Sequence, residues 1–135
     1  MAQSDDQDLL DLLARHAEAW NRHDLDALMS LFADDCVFEA SGGGEVCGTR
    51  YQGRNEVRRA FAEVFEAMPD AEWSNGRHYR LGAGYGVSQW TFTGTLSDGR
   101  RLEVNGCDFL TVQEGQIVTK NSYRKQRPPL EGLAD

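Results

Sequence analysis

The sequence predicts an α+β domain: three helices in the first half, covering a curved and mainly antiparallel sheet supplied mostly by the second half. Three observations predict it. Apolar residues recur at helical spacing in three stretches before Pro69. From Glu72 onward the apolar residues alternate with polar ones, as half-buried strands require. No repeat, low-complexity tract or linker separates the two textures, and 135 residues suit one domain. The domain is expected to span 1–135, with a loose tail from about Arg127, where Pro128-Pro129 follows.

Each element has a local cause. Ser4 and Gln7 fit a capping box that opens a helix near Asp5. Leu9, Leu13, His16, Ala17 and Trp20 then share one helical face. Asp24 caps a second helix, with Leu25, Leu28, Met29 and Phe32 as its apolar side, ending near Ala33. Cys36 to Ala40 is a short strand, and Gly42-Gly43-Gly44 breaks it. A second short strand is expected between Val46 and Tyr51. Asn55 caps a third helix whose stripe is Val57, Phe61, Val64, Phe65 and Met68, stopped by Pro69. Four strands follow: Glu72–Leu81, Gly86–Leu96, Arg101–Val112 and Gln116–Arg124. In the second of these, Trp90, Phe92 and Leu96 share one side, and Thr91, Thr93 and Thr95 share the other. Asp98-Gly99 and Glu114-Gly115 supply the turns. Glycines inside the strands let the sheet bend around the helices.

Composition narrows the function. A net charge of −8 argues against nucleic acid and against an anionic membrane surface, both of which demand a basic face. The acidic, polar start lacks the pattern of a signal peptide, and no apolar run reaches the length of a membrane span. Three cysteines, an odd number without a C-x-x-C pair, suit a reducing cytoplasm. The spacing of Cys36, Cys47, Cys107, His16, His23 and His78 offers no zinc site. No dinucleotide, P-loop, nucleophile-elbow or metalloprotease motif is present, so no cofactor and no metal are expected. Gly82, Gly84 and Gly86 lack the surrounding βαβ unit and read as a loop.

The segment WNRHDLDALMSLFADDCVFEA (Trp20–Ala40), then YQGRNEVRRAFAEVF (Tyr51–Phe65), then WTFTGTLSDGR and VNGCDFLTVQEGQIVTKNSYRK, resembles the SnoaL-like and ketosteroid-isomerase-like branch of the NTF2-like superfamily. The resemblance covers nearly the whole chain, through the order and spacing of motifs that are individually weak. It implies a cone-shaped fold enclosing one apolar pocket, and a homodimer formed through the outer face of the sheet. The row Thr91, Thr93, Thr95 is compatible with such a face or with solvent.

Asp108 lies within the apolar run GCDFLTV, where desolvation raises a carboxyl pKa unless a partner compensates. The resemblance implies either a protonated Asp that helps hold an oxyanion or, as in polyketide cyclases, a general acid/base. The structural alternative is an Asp solvated or paired on the outer face. His16 sits in the apolar stripe of the first helix, where ketosteroid isomerases hold an oxyanion-binding Tyr. It is either a hydrogen-bond donor to substrate or a core histidine. Position 40 holds Ala40 where those isomerases carry their proton-shuttling Asp, and alternation aims Glu39 at the opposite face. Leu96 stands near where polyketide cyclases often have His. Lys120 either faces inward, to pair with Asp108 or polarise a carbonyl, or is a surface cation, and alternation leaves its side open against Asn121 and Tyr123. Trp20, Phe38, Phe61, Phe65, Trp90 and Phe92 are the candidate pocket wall or plain core. The expected function is a small cofactor-independent enzyme moving a proton on an apolar, carbonyl-bearing molecule, as isomerase, cyclase or dehydratase. The alternative is a non-catalytic small-molecule-binding or dimerisation module on the same fold.

Overall fold

In a computed structural model of the chain, residues 2–131 are described, the side chains of 2–5 excepted. Helix α1 runs Ala2–Asn21, α2 Leu25–Met29 and α3 Arg54–Ala67. Strands β1 (Phe32–Glu39), β2 (Arg50–Gln52), β3 (Glu72–Gly82), β4 (Tyr85–Thr95), β5 (Arg101–Gln113) and β6 (Gln116–Arg124) form one sheet in the order β2-β1-β6-β5-β4-β3. Strands β3 to β6 are the antiparallel meander that alternation predicts, and β1 lies parallel to β6. Three helices on one curved, mixed six-stranded sheet make this an α+β fold.

Helix and strand starts shift where capping chemistry differs from expectation. Helix α1 already runs from Ala2, so Ser4 is inside it, and the expected capping interaction of Ser4 lies outside the described side chains. Asp24 does cap α2, accepting a hydrogen bond from the Ala27 amide at 3.0 Å. That helix stops at Met29 rather than Ala33, because β1 begins at Phe32 and takes the backbone over. Asn55 does not cap α3. Gly53 stands at the N-cap with φ 87°, a left-handed conformation that glycine adopts without strain, and no side chain caps the helix. The segment after Arg127, expected to be loose, is tied at Leu130, which exchanges two backbone hydrogen bonds with Arg101.

The apolar stripes of the helices meet the inner face of the sheet. Leu13, Leu28, Phe32, Phe61, Leu110 and Ile117 are fully buried in the main core. A smaller cluster, Ala71, Trp90, Phe92 and Val104, covers the β4–β5 end. No helix among the described residues is long and apolar enough to cross a membrane. Cys36, Cys47 and Cys107 are free thiols.

Candidate functional site

The inner face of β5 and β6 carries a buried ion pair. Asp108 on β5 and Lys120 on β6 are 3 % and 5 % exposed, and Lys120 Nζ lies 2.9 Å from Asp108 Oδ2. Trp90 Nε1 on β4 donates to the same oxygen at 3.0 Å, and Ser122 Oγ donates to Oδ1 at 2.5 Å. Both carboxylate oxygens are thus partnered, which is the condition for keeping a charge in an apolar interior.

A bulge puts Lys120 there. The β5–β6 hairpin pairs Gln113 with Gln116 and Val112 with Ile117, then shifts so that Thr111 faces Thr119 and Leu110 faces Lys120. The extra residue on β6 is Val118. Without the shift, Lys120 would stand opposite Phe109, on the outer face, because a one-residue slip turns every side chain over. With it, Lys120, Ser122 and Arg124 all point inward.

A glycine makes room for the third partner. An alanine Cβ at Gly106, opposite Trp90 on the neighbouring strand, would meet the Trp90 ring and the Tyr123 carbonyl oxygen at 2.5 Å. The absent side chain lets the indole lie across β5 and reach Asp108.

Charge states follow from burial and partners. Burial pushes the Asp108 carboxyl up, but the Lys120 ammonium and the Ser122 hydrogen bond outweigh it and hold the group below its ordinary value. The raised pKa expected for a desolvated carboxylate is therefore not what the fold produces, because the compensating cation comes from the adjacent strand. Burial lowers the Lys120 pKa, opposed by Asp108. Lys120 Nζ also sits 5.1 Å from the Trp20 ring centroid and 5.9 Å from that of Phe38, positions that favour a cation.

His16 is buried, 2 % exposed, on the inner side of α1. Its Nε2 accepts from Trp20 Nε1 at 3.0 Å, so the neutral ring carries its proton on Nδ1. Burial and the nearby Lys120 cation hold its pKa well below the ordinary value. Among the described residues no hydrogen bond joins His16 to Asp108. Both line a small chamber of about 20 Å³ with Ser88 and His78, whose Oγ and Nδ1 are 2.7 Å apart. That volume suits one water molecule.

Above the ion pair lies a cavity of about 290 Å³. Trp20, Phe38, Trp90, Phe92 and Lys120 of the expected wall line it, with Asp108 at its floor. Phe61 does not reach it; it is fully buried against Trp20, Phe32 and Phe38 as core. Phe65 does not reach it either, stacking instead on His23. Tyr51, Trp73, Met68, Ser122 and Arg124 also line it, with small residues and Glu63 of α3. Sequence reasoning missed Ser122, although alternation makes it follow Lys120 inward. Arg124 covers the Phe92 ring at 4.9 Å and donates from Nε to Ser41 Oγ at 3.1 Å. Ala40 lines the cavity and offers only a methyl group there. Glu39 points away and pairs with Arg50 at 2.6 Å. A larger open groove of about 1040 Å³ lies beside α1 and the Gly84 and Gly115 turns, but its charged residues are surface groups with no buried pair. Among the described residues, no cluster of His, Cys, Asp and Glu could hold a metal.

Fold and site together define a class: an α+β cone whose helices and curved sheet enclose an aromatic cavity over a buried ion pair. Residues 13–120 match the model of the SnoaL-like domain, and the chain belongs to that family. No curated protein matches it significantly. Among solved structures it is similar to Bal32a from a soil-derived mobile gene cassette, with a TM-score of 0.81 and 15% identity over 90% of this chain and 92% of that one. It is similar to a proposed polyketide cyclase from Xanthomonas campestris, with a TM-score of 0.78 and 19% identity over 88% and 91%. It is also similar to a hypothetical protein of ketosteroid-isomerase-like fold from Catenulispora acidiphila, solved with trimethylamine, with a TM-score of 0.72 and 18% identity over 83% of each chain. Identities this low carry the fold alone.

Proposed function

We propose that the chain is a cofactor-independent enzyme of the SnoaL-like type, moving a proton on an apolar small molecule that bears a carbonyl group. The reaction is an isomerisation, cyclisation or dehydration. One observation carries this reading: a carboxylate and an ammonium, 2.9 Å apart, are held at the floor of an aromatic cavity of ligand size. Asp108, kept ionised, acts as the base that takes a proton from the carbon beside the carbonyl. The negative charge that develops on the carbonyl oxygen is met by Lys120, whose ammonium has donors beyond the one on Asp108, while Ser122 holds the carboxylate. Asp108 then returns the proton at a second position. His16 stays neutral, fixes Trp20 beneath Lys120, and reaches Asp108 through the small chamber.

The test is exchange of the α-proton of cyclic ketones in heavy water, followed by NMR. The wild-type chain is expected to catalyse exchange, and folded Asp108→Asn to show none above background. Exchange retained in that variant removes Asp108 from the mechanism. A binding module without turnover is the second reading, favoured by Ala40 in the place of a second carboxylate. Saturable binding without exchange across the ketone series selects it.

The outer face supports a homodimer. Tyr79, Tyr85 and Tyr123 are exposed there, and Phe109 packs between Tyr85 and Tyr123. Light scattering at twice the chain mass is the expected result, and a monomer removes this partner. The three free thiols fit a cytoplasmic setting.

A further inference from the structure

The chain's use of basic residues is uneven. Of 14 lysines and arginines, only Lys120 and Lys125 are lysine. Lys125 is exposed, and Lys120 is the buried one. An ion pair whose only task was structural would suit arginine, whose guanidinium binds both carboxylate oxygens and keeps its proton. Lysine brings what arginine lacks: an amine that can give up its proton and attack carbon.

We propose that Lys120 captures aldehydes and ketones covalently, as an imine formed at the floor of the aromatic cavity. Lys120 Nζ faces a cavity of about 290 Å³ whose walls include Trp20, Phe38 and Trp90, apolar surfaces that suit an aromatic or alicyclic carbonyl compound. The acid–base partner is in place, since Asp108 Oδ2 lies 2.9 Å from Nζ. The ammonium gives one proton to Asp108, leaving an amine beside a carboxylic acid. The nitrogen lone pair forms the bond to the carbonyl carbon, and the carbonyl π pair moves onto oxygen. The nitrogen then loses a proton and the oxygen gains one, giving a neutral carbinolamine. Asp108 donates its proton to that hydroxyl, the carbon–oxygen bond breaks, and water leaves. The product is a protonated imine facing a carboxylate, so the charges end as they began. The chamber of about 20 Å³ touching both Asp108 and Lys120 has room for the released water. Burial lowers the proton affinity of Lys120, in the direction this chemistry needs. This goes beyond the proton-transfer reading, sharing its cavity and the Asp108–Lys120 pair but giving Lys120 a covalent role.

The experiment treats the whole chain with benzaldehyde and sodium cyanoborohydride, which reduces an imine to a stable amine. Intact mass and peptide mapping then locate the adduct. One benzyl group is expected on Lys120, formed roughly tenfold or more faster than on exposed Lys125. Lys120→Met is expected to lose it. Because that change strands the Asp108 charge, Asp108→Asn/Lys120→Met serves as a folded control, also without the adduct at residue 120. Labelling of Lys125 as fast as Lys120, or total labelling unchanged in the double variant, overturns the proposal. An adduct without α-proton exchange defeats the proton-transfer reading alone. Exchange without an adduct defeats this inference alone.

Discussion

Two halves of the inner sheet face are built from the same strands and behave differently. Where α1, α2 and α3 converge, Leu13, Leu28, Phe32, Phe61 and Ile117 are fully buried, and the polar His16 is accommodated by a hydrogen bond with Trp20. Where the helices leave β4 to β6 partly uncovered, the same face carries Trp90, Asp108, Lys120 and Arg124 around a cavity. Trp20 belongs to both, with its ring against Phe61 on one side and beneath Lys120 on the other. The difference teaches that the packed half supplies stability and the open half spends some of it on charge. A buried ion pair is weak evidence for stability, since hydrophobic replacements often do as well. Its presence under a cavity is the observation on which the proposed chemistry rests.

The largest expected effects probe each half directly. Lys120→Met leaves Asp108 without its cation and is expected to cost about 3–5 kcal/mol in urea unfolding. Asp108→Asn/Lys120→Met should recover most of that. A double variant as unstable as the single would mean that Lys120 contributes by packing rather than by charge. Phe61→Ala in the packed half is expected to cost a similar 3–5 kcal/mol or so, through the void it leaves, while ligand binding in the cavity persists. If binding vanished while the variant remained folded, the two halves would be one unit.

A smaller effect tests the joint between strand and cavity. Gly106→Ala forces a Cβ against Trp90, and is expected to cost about 1–3 kcal/mol and to shift the indole off Asp108. Tryptophan fluorescence and the rate of α-proton exchange should change together. Stability lost with exchange unaltered would show that the Trp90 hydrogen bond is dispensable.

The smallest effect is a pH slope from the packed half. The fold holds His16 neutral, below its ordinary value of 6.5, chiefly through burial. An unfolded chain takes up that proton below 6.5, so the unfolded state then binds more protons than the folded one. Stability is present above that pH and falls as pH drops below it. His78, also lowered by burial, adds slope of the same sign. Tm measured from neutral to mildly acidic pH is expected to fall in the wild type and to fall less in His16→Gln, whose amide oxygen can accept from Trp20. Equal slopes would assign the effect to other groups.

Much of the molecule was legible in the residues. The stripes from Leu9 to Trp20 and Val57 to Phe65, the alternation around Trp90 and Phe92, and the turns at Gly99 and Gly115 are signals with periods of a few residues. They depend on local geometry and survive into the fold. Caps were less legible, because Gly53 offers a backbone conformation rather than a side-chain signature. The burial of Asp108 within GCDFLTV could be anticipated from its apolar neighbours. Its ionisation could not, since that depends on which way Lys120 faces. Phe61 and Phe65 satisfied every local criterion for a pocket wall, and only their packing against Trp20 of α1 draws them away from the cavity, Phe61 fully buried and Phe65 partly so.

The sequence alone therefore determined the elements, their order and the apolar surfaces that must meet. Tertiary structure alone decided the buried ion pair. One additional residue on β6, at Val118, slips the hairpin register and turns Lys120 from the outer face to the inner one. Nothing in the composition of QIVTK marks that slip. It arises because β6 must pair with β5 on one side and with β1 on the other, where the ladder is also irregular between Phe32 and Val37. A strand shared by two ladders takes the register that suits both, and that compromise is written in no local stretch of chain.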